Sequence, residues 1–284
     1  MKHYQIIHET RYHFPGPVQL HPHELRLRPR EGHELRIESS TLSIDPPALL
    51  RWRRDVEDNS VATATFQTSA SQLVIVSDTV IQQYDHQPLD FLVSDYAIHY
   101  PFSYQDEDRI LLAPYMSTPG VNQPPELGAW LQSVWSSGIN IETYVLLDKL
   151  NNHIHDTLAY QVREEPGVQD ASQTLALGRG SCRDFALLFM QAARFLGLAA
   201  RFVSGYVFVS PDPNHVGSTH AWAETFLPGA GWKGFDPTNR KIVGPEHIAV
   251  AVARSPESVP PVSGTYFGPP NASLSVAVKV NELA

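Results

Sequence analysis

Leu177-Gly178-Arg179-Gly180-Ser181-Cys182-Arg183-Asp184 runs directly into Phe185, Leu188, Phe189, Ala192, Phe195 and Leu196. Those apolar positions recur at i, i+3, i+4 and i+7, so the spacing predicts a helix with one buried face that begins near Ser181. Gly197 follows where a glycine past the helix end belongs. Ser181 and Asp184 form the S-x-x-D capping pattern, which makes Ser181 the N-cap and Cys182 the first helical residue. A cysteine there sits at the positive end of the helix dipole among unpaired backbone N–H groups, and both favour thiolate over thiol. The flanking glycines, Gly180 nearest, let a chain approach the sulfur closely. A lone cysteine is also a common small core residue, so this segment alone leaves both readings open.

Downstream, Arg201 to Val209 is a strand candidate, and a Pro211-Asp212-Pro213-Asn214 loop separates it from Thr219 to Leu227. There His220, Trp222, Glu224 and Phe226 alternate with Ala221, Ala223 and Thr225, a strand with large residues on one face and small ones on the other. Pro228-Gly229-Ala230-Gly231 supplies a turn and Trp232 to Asp236 runs back, which completes a hairpin. With Phe226 opposite Trp232, Asp236 falls opposite Trp222 and diagonal to His220 on the same face. Diagonal Cβ atoms lie about 7–8 Å apart or less, a span that a carboxylate–imidazole hydrogen bond bridges. A slip of one residue would put the pair on opposite faces.

Upstream, residues 1 to about 100 read mostly as strands. Tyr4, Ile6 and His8 alternate with Gln5, Ile7 and Glu9; Leu25, Leu27, Leu35 and Ile37, then Val61 to Phe66 and Leu73 to Ile81, continue the period of two. Pro15-Gly16-Pro17, Glu31-Gly32 and Pro46-Pro47 mark breaks, and the whole suggests a sandwich-like β-domain. Tyr104 to Gly120 reads as irregular. Helical spacing returns after Pro124-Pro125, at Leu127, Leu131 and Val134, and is clearest over Thr143 to Leu158. The expected division is a β-rich domain over 1–100 and an α+β core over 101–284. That core ends in a Pro-rich extension (Ser258 to Pro270) and a last strand, Leu274 to Val280.

Composition bounds the chemistry. The chain has 284 residues, more than the roughly 100–200 of a usual domain. Its 42% apolar content suits packed cores, and a formal charge of −9 repels phosphate backbones, against a nucleic-acid partner. Met1 to Phe14 has no apolar run of signal-peptide length and no later run approaches a membrane span, so a cytoplasmic protein without membrane contact is expected. A single cysteine excludes an internal disulfide and a cysteine-based zinc site. His21-Pro22-His23 and His153-Ile154-His155 lack a carboxylate at motif spacing, so neither a metal nor a cofactor is expected.

Four blocks taken in order are specific where each alone is weak: Gly180-Ser181-Cys182-Arg183-Asp184-Phe185, Arg201-Phe202-Val203-Ser204-Gly205-Tyr206, His220-Ala221-Trp222-Ala223-Glu224, and Gly231-Trp232 with Asp236-Pro237-Thr238. Together they resemble the transglutaminase-like superfamily, and within it the bacterial proteins grouped with cysteine proteases. His8-Glu9-Thr10-Arg11-Tyr12 and Leu25-Arg26-Leu27-Arg28-Pro29 are similar to the β-rich opening of that group, so the resemblance spans nearly the whole chain. It implies a papain-like α+β core with the cysteine at a helix start packed on an antiparallel sheet. It implies a catalytic triad of Cys182, His220 and Asp236. It also implies acyl transfer on the amide bonds of a peptide or protein substrate through a thioester, with hydrolysis if water accepts the acyl group. Cross-linking to an amine and a silent binding scaffold on the same fold are the alternatives. Animal transglutaminases carry a tryptophan well upstream of the cysteine; Trp135 is the nearest here. Gly180, Ser181, Arg183, Asp184 and Glu224 recur in the family pattern, as substrate contacts or as ion pairs and caps that fix the helix. Trp222 and Trp232 are core residues first and cleft residues second.

Overall fold

The computed structural model describes residues 1–84, 87–117, 125–163, 165–209 and 219–283; the Pro211–Asn214 loop falls outside them. The helix expected after Ser181 runs over Cys182–Phe195 (α5 below) and ends at Leu196, with Gly197 left-handed at φ 78°. It is almost wholly buried, and its apolar face packs on a five-stranded antiparallel sheet. The strand order is Lys241–Ile242, Gly231–Asp236, His220–Leu227, Ala200–Val207 and His247–Ala253. The small residues of the central strand, Ala221 and Ala223, let the helix approach, and Phe189 stacks on Phe235 with ring centroids 5.2 Å apart. Among the described residues the α-helices are α1 (Asp106–Met116), α2 (Pro125–Leu131), α3 (Thr143–Thr157), α4 (Ala171–Leu177) and α5, and α3 and α4 cover the other sides of α5. The fold is α+β.

The N-terminal half is a sandwich. One sheet contains β1 (Lys2–Leu20), β6 (Ala70–Gln83) and β3 (Leu35–Asp45); the other contains β2 (His23–Leu25), β5 (Ser60–Phe66) and β4 (Ala48–Arg54). Phe14, Val18, Leu25, Leu73 and Ile75 fill the space between them. The outer part of the long sheet docks on the core: Tyr4, Ile6 and Ile81 pack with Tyr206, Ile248 and Val250. Asn59 adds a buried polar tie, with its amide donating to Val252 O and its carbonyl accepting from Val252 N, each at 2.8 Å.

Three expectations need correction. Residues 101–284 are not one continuous core, because the chain returns at its end to the N-terminal sandwich. Val262–Ser263 pairs with β2, Tyr266–Phe267 pairs with β1, and Ser273–Leu283 pairs with β1 over eleven residues from His3 to His13. Periodicity revealed that last strand but not its partner. Pro15-Gly16-Pro17 does not break β1; the ladder with β6 shifts register between His13 and Val18, as a bulge does. Within the stretch read as irregular, Asp106–Met116 is a helix, with three acidic residues in its first turn suiting the helix dipole and Pro114 tolerated near its end. No helix among the described residues is long and apolar enough to cross a membrane.

Candidate active site

Cys182 opens α5 and is partly exposed. Its setting is built by Asp184, which is fully buried and accepts from both the backbone N–H and the hydroxyl of Ser181 at 2.8 Å each. One Arg163 nitrogen, Nη1, donates to both oxygens of the same carboxylate at 2.8 and 2.9 Å, and the Gln169 N–H donates to it at 2.8 Å. Asp184 is thus a strut beneath Cys182 rather than a substrate contact. Gly180 is required here, since a Cβ would sit 2.9 Å from the Asp184 Cβ and 3.2 Å from the Phe185 ring. Arg183 donates to the carbonyls of Arg163 and Glu165 and also borders the cleft at Cys182.

The hairpin register is the expected one: Phe226 pairs with Trp232 and Ala223 with Phe235, which carries Asp236 to the level of Trp222. His220 Nε2 donates to Asp236 Oδ2 at 2.8 Å, and Cys182 borders the same cleft as the ring, whose Nδ1 is the nitrogen that Asp236 leaves free. Burial works against a charged imidazole, but the hydrogen bonds and negative charges of Asp236 and Cys182 outweigh it and raise His220 to about 10. Burial likewise opposes the Asp236 charge, and His220 and His247 overcome it, so the carboxyl is held far below the usual range. His220 is thus coupled to both other candidates, by a hydrogen bond to Asp236 and by the charge of Cys182.

Several companions are invisible in the motif. Asp236 Oδ2 also accepts from Asn239 Nδ2 at 2.7 Å and His247 Nε2 at 3.1 Å, while Oδ1 accepts the N–H groups of Thr238 and Asn239 at 3.0 and 3.2 Å. The Asn239 donors could have been found from the short turn after Asp236; His247 has no sequence signal, since it lies on the far edge strand. Tyr160 stands over Phe185 and feels the charges of Cys182 and Asp236 after the larger effect of burial, all of which raise its phenol.

Other candidates play structural parts. Glu224 pairs with Arg201 at 2.7 Å, and the Arg201 guanidinium lies over the Trp232 ring, 4.3 Å from its centroid. Trp222 is buried and packs edge-on to His247, 5.3 Å between centroids. Both tryptophans border a polar cavity of about 440 Å³ between the sheet and the N-terminal half rather than the cleft at Cys182. Trp135 uses its indole N–H on Ile139 O, so it supplies no free donor. His220, Asp236 and His247 bring their ligand atoms within 4.8 Å of one another, the only such group among the described residues. Both imidazoles meet the same carboxylate oxygen at hydrogen-bond distance, 2.8 and 3.1 Å.

The cleft at Cys182 encloses about 380 Å³ lined by His220, Phe202, Val168, Val259 and Pro260, with Arg183 and Thr219 at its margin. A further space of about 270 Å³ shares Arg183, Thr219 and Pro261 with it and reaches the N-terminal half at Tyr12, Leu274 and Val276.

Residues 142–237 match the family model of the transglutaminase-like superfamily, and residues 4–82 match that of the bacterial transglutaminase-like N-terminal region. An uncharacterized protein of Mycobacterium tuberculosis is 28% identical over 299 residues, covering 98% of this chain and 92% of its own length. One of Mycobacterium leprae is 24% identical and covers 99% of both chains. Among solved structures, that of a putative cysteine protease from Cytophaga hutchinsonii superimposes with a TM-score of 0.74 at 18% identity, covering 100% of this chain and 91% of that one. This last likeness is one of fold.

Proposed function

The chain belongs to the transglutaminase-like superfamily, and from that premise we propose that it is a cysteine-nucleophile acyl-transfer enzyme that hydrolyses amide bonds of a peptide or protein. The observation that carries the reading is the His220–Asp236 hydrogen bond in the cleft that Cys182 borders, with His220 raised by both partners. In the first half-reaction the Cys182 sulfur attacks the carbonyl carbon and the C–N bond breaks. The proton held on His220 Nδ1 passes to the departing amine, leaving a thioester and a neutral imidazole. In the second, Nδ1 takes a proton from water as its oxygen attacks the thioester; the C–S bond breaks, the acid leaves and the thiolate–imidazolium pair is restored. Asp236 stays ionised throughout and fixes Nε2 as the N–H. The Cys182 backbone N–H, at a helix start, is placed to receive the developing oxyanion.

The apolar cleft and its extension toward Leu274 and Val276 support a polypeptide substrate over a small polar amide. The free single thiol suits the reducing cytoplasm as the proposed setting. The test is an internally quenched peptide library read by fluorescence and by mass spectrometry of the thioester after acid quenching. Wild type should cleave a subset and accumulate a Cys182-linked acyl group; Cys182→Ala should do neither while unfolding at the wild-type temperature. If added amines rather than water consume the thioester, the enzyme is a cross-linking transferase; if no acyl group ever appears on Cys182, the chain is a scaffold.

A further inference from the structure

Three donors converge on one oxygen of Asp236, and the third, from His247, has no part in the Cys–His–Asp line. We infer that His247 is a positioning residue of this machinery, which donates its Nε2–H to the Asp236 carboxylate and thereby holds the anion that keeps the His220 imidazole charged and oriented. The inference rests on the reading of Cys182, His220 and Asp236 given above.

The geometry assigns the proton. The Gly244 backbone N–H donates to His247 Nδ1 at 3.4 Å, so Nδ1 carries the lone pair and Nε2 carries the hydrogen that faces Asp236 Oδ2 at 3.1 Å. The ring is buried, and Trp222 packs edge-on against it, so it has little freedom to turn away. Asp236 is itself fully buried, out of reach of bulk solvent. A carboxylate in that position stays ionised only if donors replace the lost hydration. His247 stands among the groups that do so, and it also fixes the direction of the oxygen that faces His220.

The surrounding charges do not duplicate this role. On the cleft side, Asp236 and His220 face Cys182 and Tyr160. Beside His247 in its own turn, Glu246 is bound to Lys241 at 2.9 Å. The Arg201–Glu224 pair comes from the strands alongside, and Arg30, Glu31 and Glu34 lie across the polar cavity that His247 borders. None of these groups other than His220 offers Asp236 a hydrogen bond.

His247→Leu removes the donor, whereas His247→Gln retains an N–H near the Nε2 position. Two readouts follow each variant: the ring-proton NMR titration of His220, and the pH profile of Cys182 alkylation by iodoacetamide, whose upper inflection tracks the loss of the imidazolium. In the Leu variant the carboxylate is no longer held toward the His220 Nε2–H, so both should move down by about one pH unit or more, and the Gln variant should recover most of that shift. A move up, as expected if His247 only shares the carboxylate's charge, would overturn the inference. A buried histidine with a packing role alone would lower the unfolding temperature and leave both profiles in place. Profiles in the Leu variant that match wild type would overturn the inference, as would a Gln variant no better than Leu. If the Leu protein does not fold, His247→Phe keeps the ring bulk without the donor and is read the same way. Asp236→Asn run alongside separates the two levels: if it too leaves the His220 titration unmoved, the triad reading fails, and with it the role of His247.

Discussion

Replacing Asp236 with Asn tests the site at the atom on which most of it converges. In wild type, His220 rises from 6.5 to about 10 because Asp236 and Cys182 overcome its burial. That rise corresponds to a stabilisation of the imidazolium on the order of 5 kcal/mol, with the carboxylate as the larger contributor. Removing the negative charge should bring the His220 titration down to between roughly pH 6.5 and 8. The amide places an NH₂ either where three donors meet Oδ2 or where the Thr238 and Asn239 N–H groups meet Oδ1, so one set of donors loses its acceptor. Stranding a buried donor costs roughly 1–3 kcal/mol, so the urea midpoint should fall as well. The wrong imidazole tautomer should reduce turnover by about 10²–10⁴, as amide substitution does in serine triads. The sign of the pH dependence follows from the raised value. The network's contribution is complete below about pH 6.5, where the unfolded histidine is also charged, and it is lost as pH rises through about 10. Wild type should therefore lose stability across that window and Asp236→Asn should show a flatter curve. The assays are His220 NMR, iodoacetamide labelling and urea unfolding at several pH values. A variant whose His220 still titrates above pH 9 and whose turnover equals wild type would refute the reasoning.

The remaining predictions concern the supports of the site. Arg163→Ala leaves the fully buried Asp184 without its cation and should cost about 3–5 kcal/mol in urea unfolding; a loss below 1 kcal/mol would show that the backbone donors suffice. Gly180→Ala forces a methyl to within 2.9 Å of the Asp184 Cβ, so a destabilisation of about 1–3 kcal/mol with slower Cys182 labelling is expected. His8 is buried against Tyr206 and Thr10 and lowered by that burial to about 4. It stays neutral in the fold while the unfolded chain takes up a proton below about pH 6.5, so acidification from there to about 4 should cost up to about 3 kcal/mol. His8→Gln should remove that part of the slope, and an unchanged slope would assign the acid sensitivity elsewhere.

What could be read from residues alone was governed by neighbours in the chain. The start of α5 at Cys182, its closure before Gly197 and the capping pair of Ser181 and Asp184 depend on local backbone geometry. The diagonal meeting of His220 with Asp236 depends on a hairpin with a short turn, where register follows from counting. Other features required distant segments to meet. The strand Ser273–Leu283 was legible as a strand, yet an alternating pattern does not name its partner, and it joined β1 rather than the core. Arg163 reached Asp184 across a loop, and Glu224 found Arg201 on the adjacent strand, which turned family-pattern charges into internal ties. His247 illustrates the limit best: nothing in its local sequence marks it, and only the path of the chain from Asp236 across the sheet to the far edge strand sets its Nε2 against the carboxylate. The sequence by itself determined that Cys182 opens the helix and that His220 and Asp236 meet on one face of the hairpin, because caps and hairpin register are short-range physics. Tertiary structure alone decided what holds the Asp236 charge away from bulk solvent, because burial and long-range donors exist only once the chain has closed on itself.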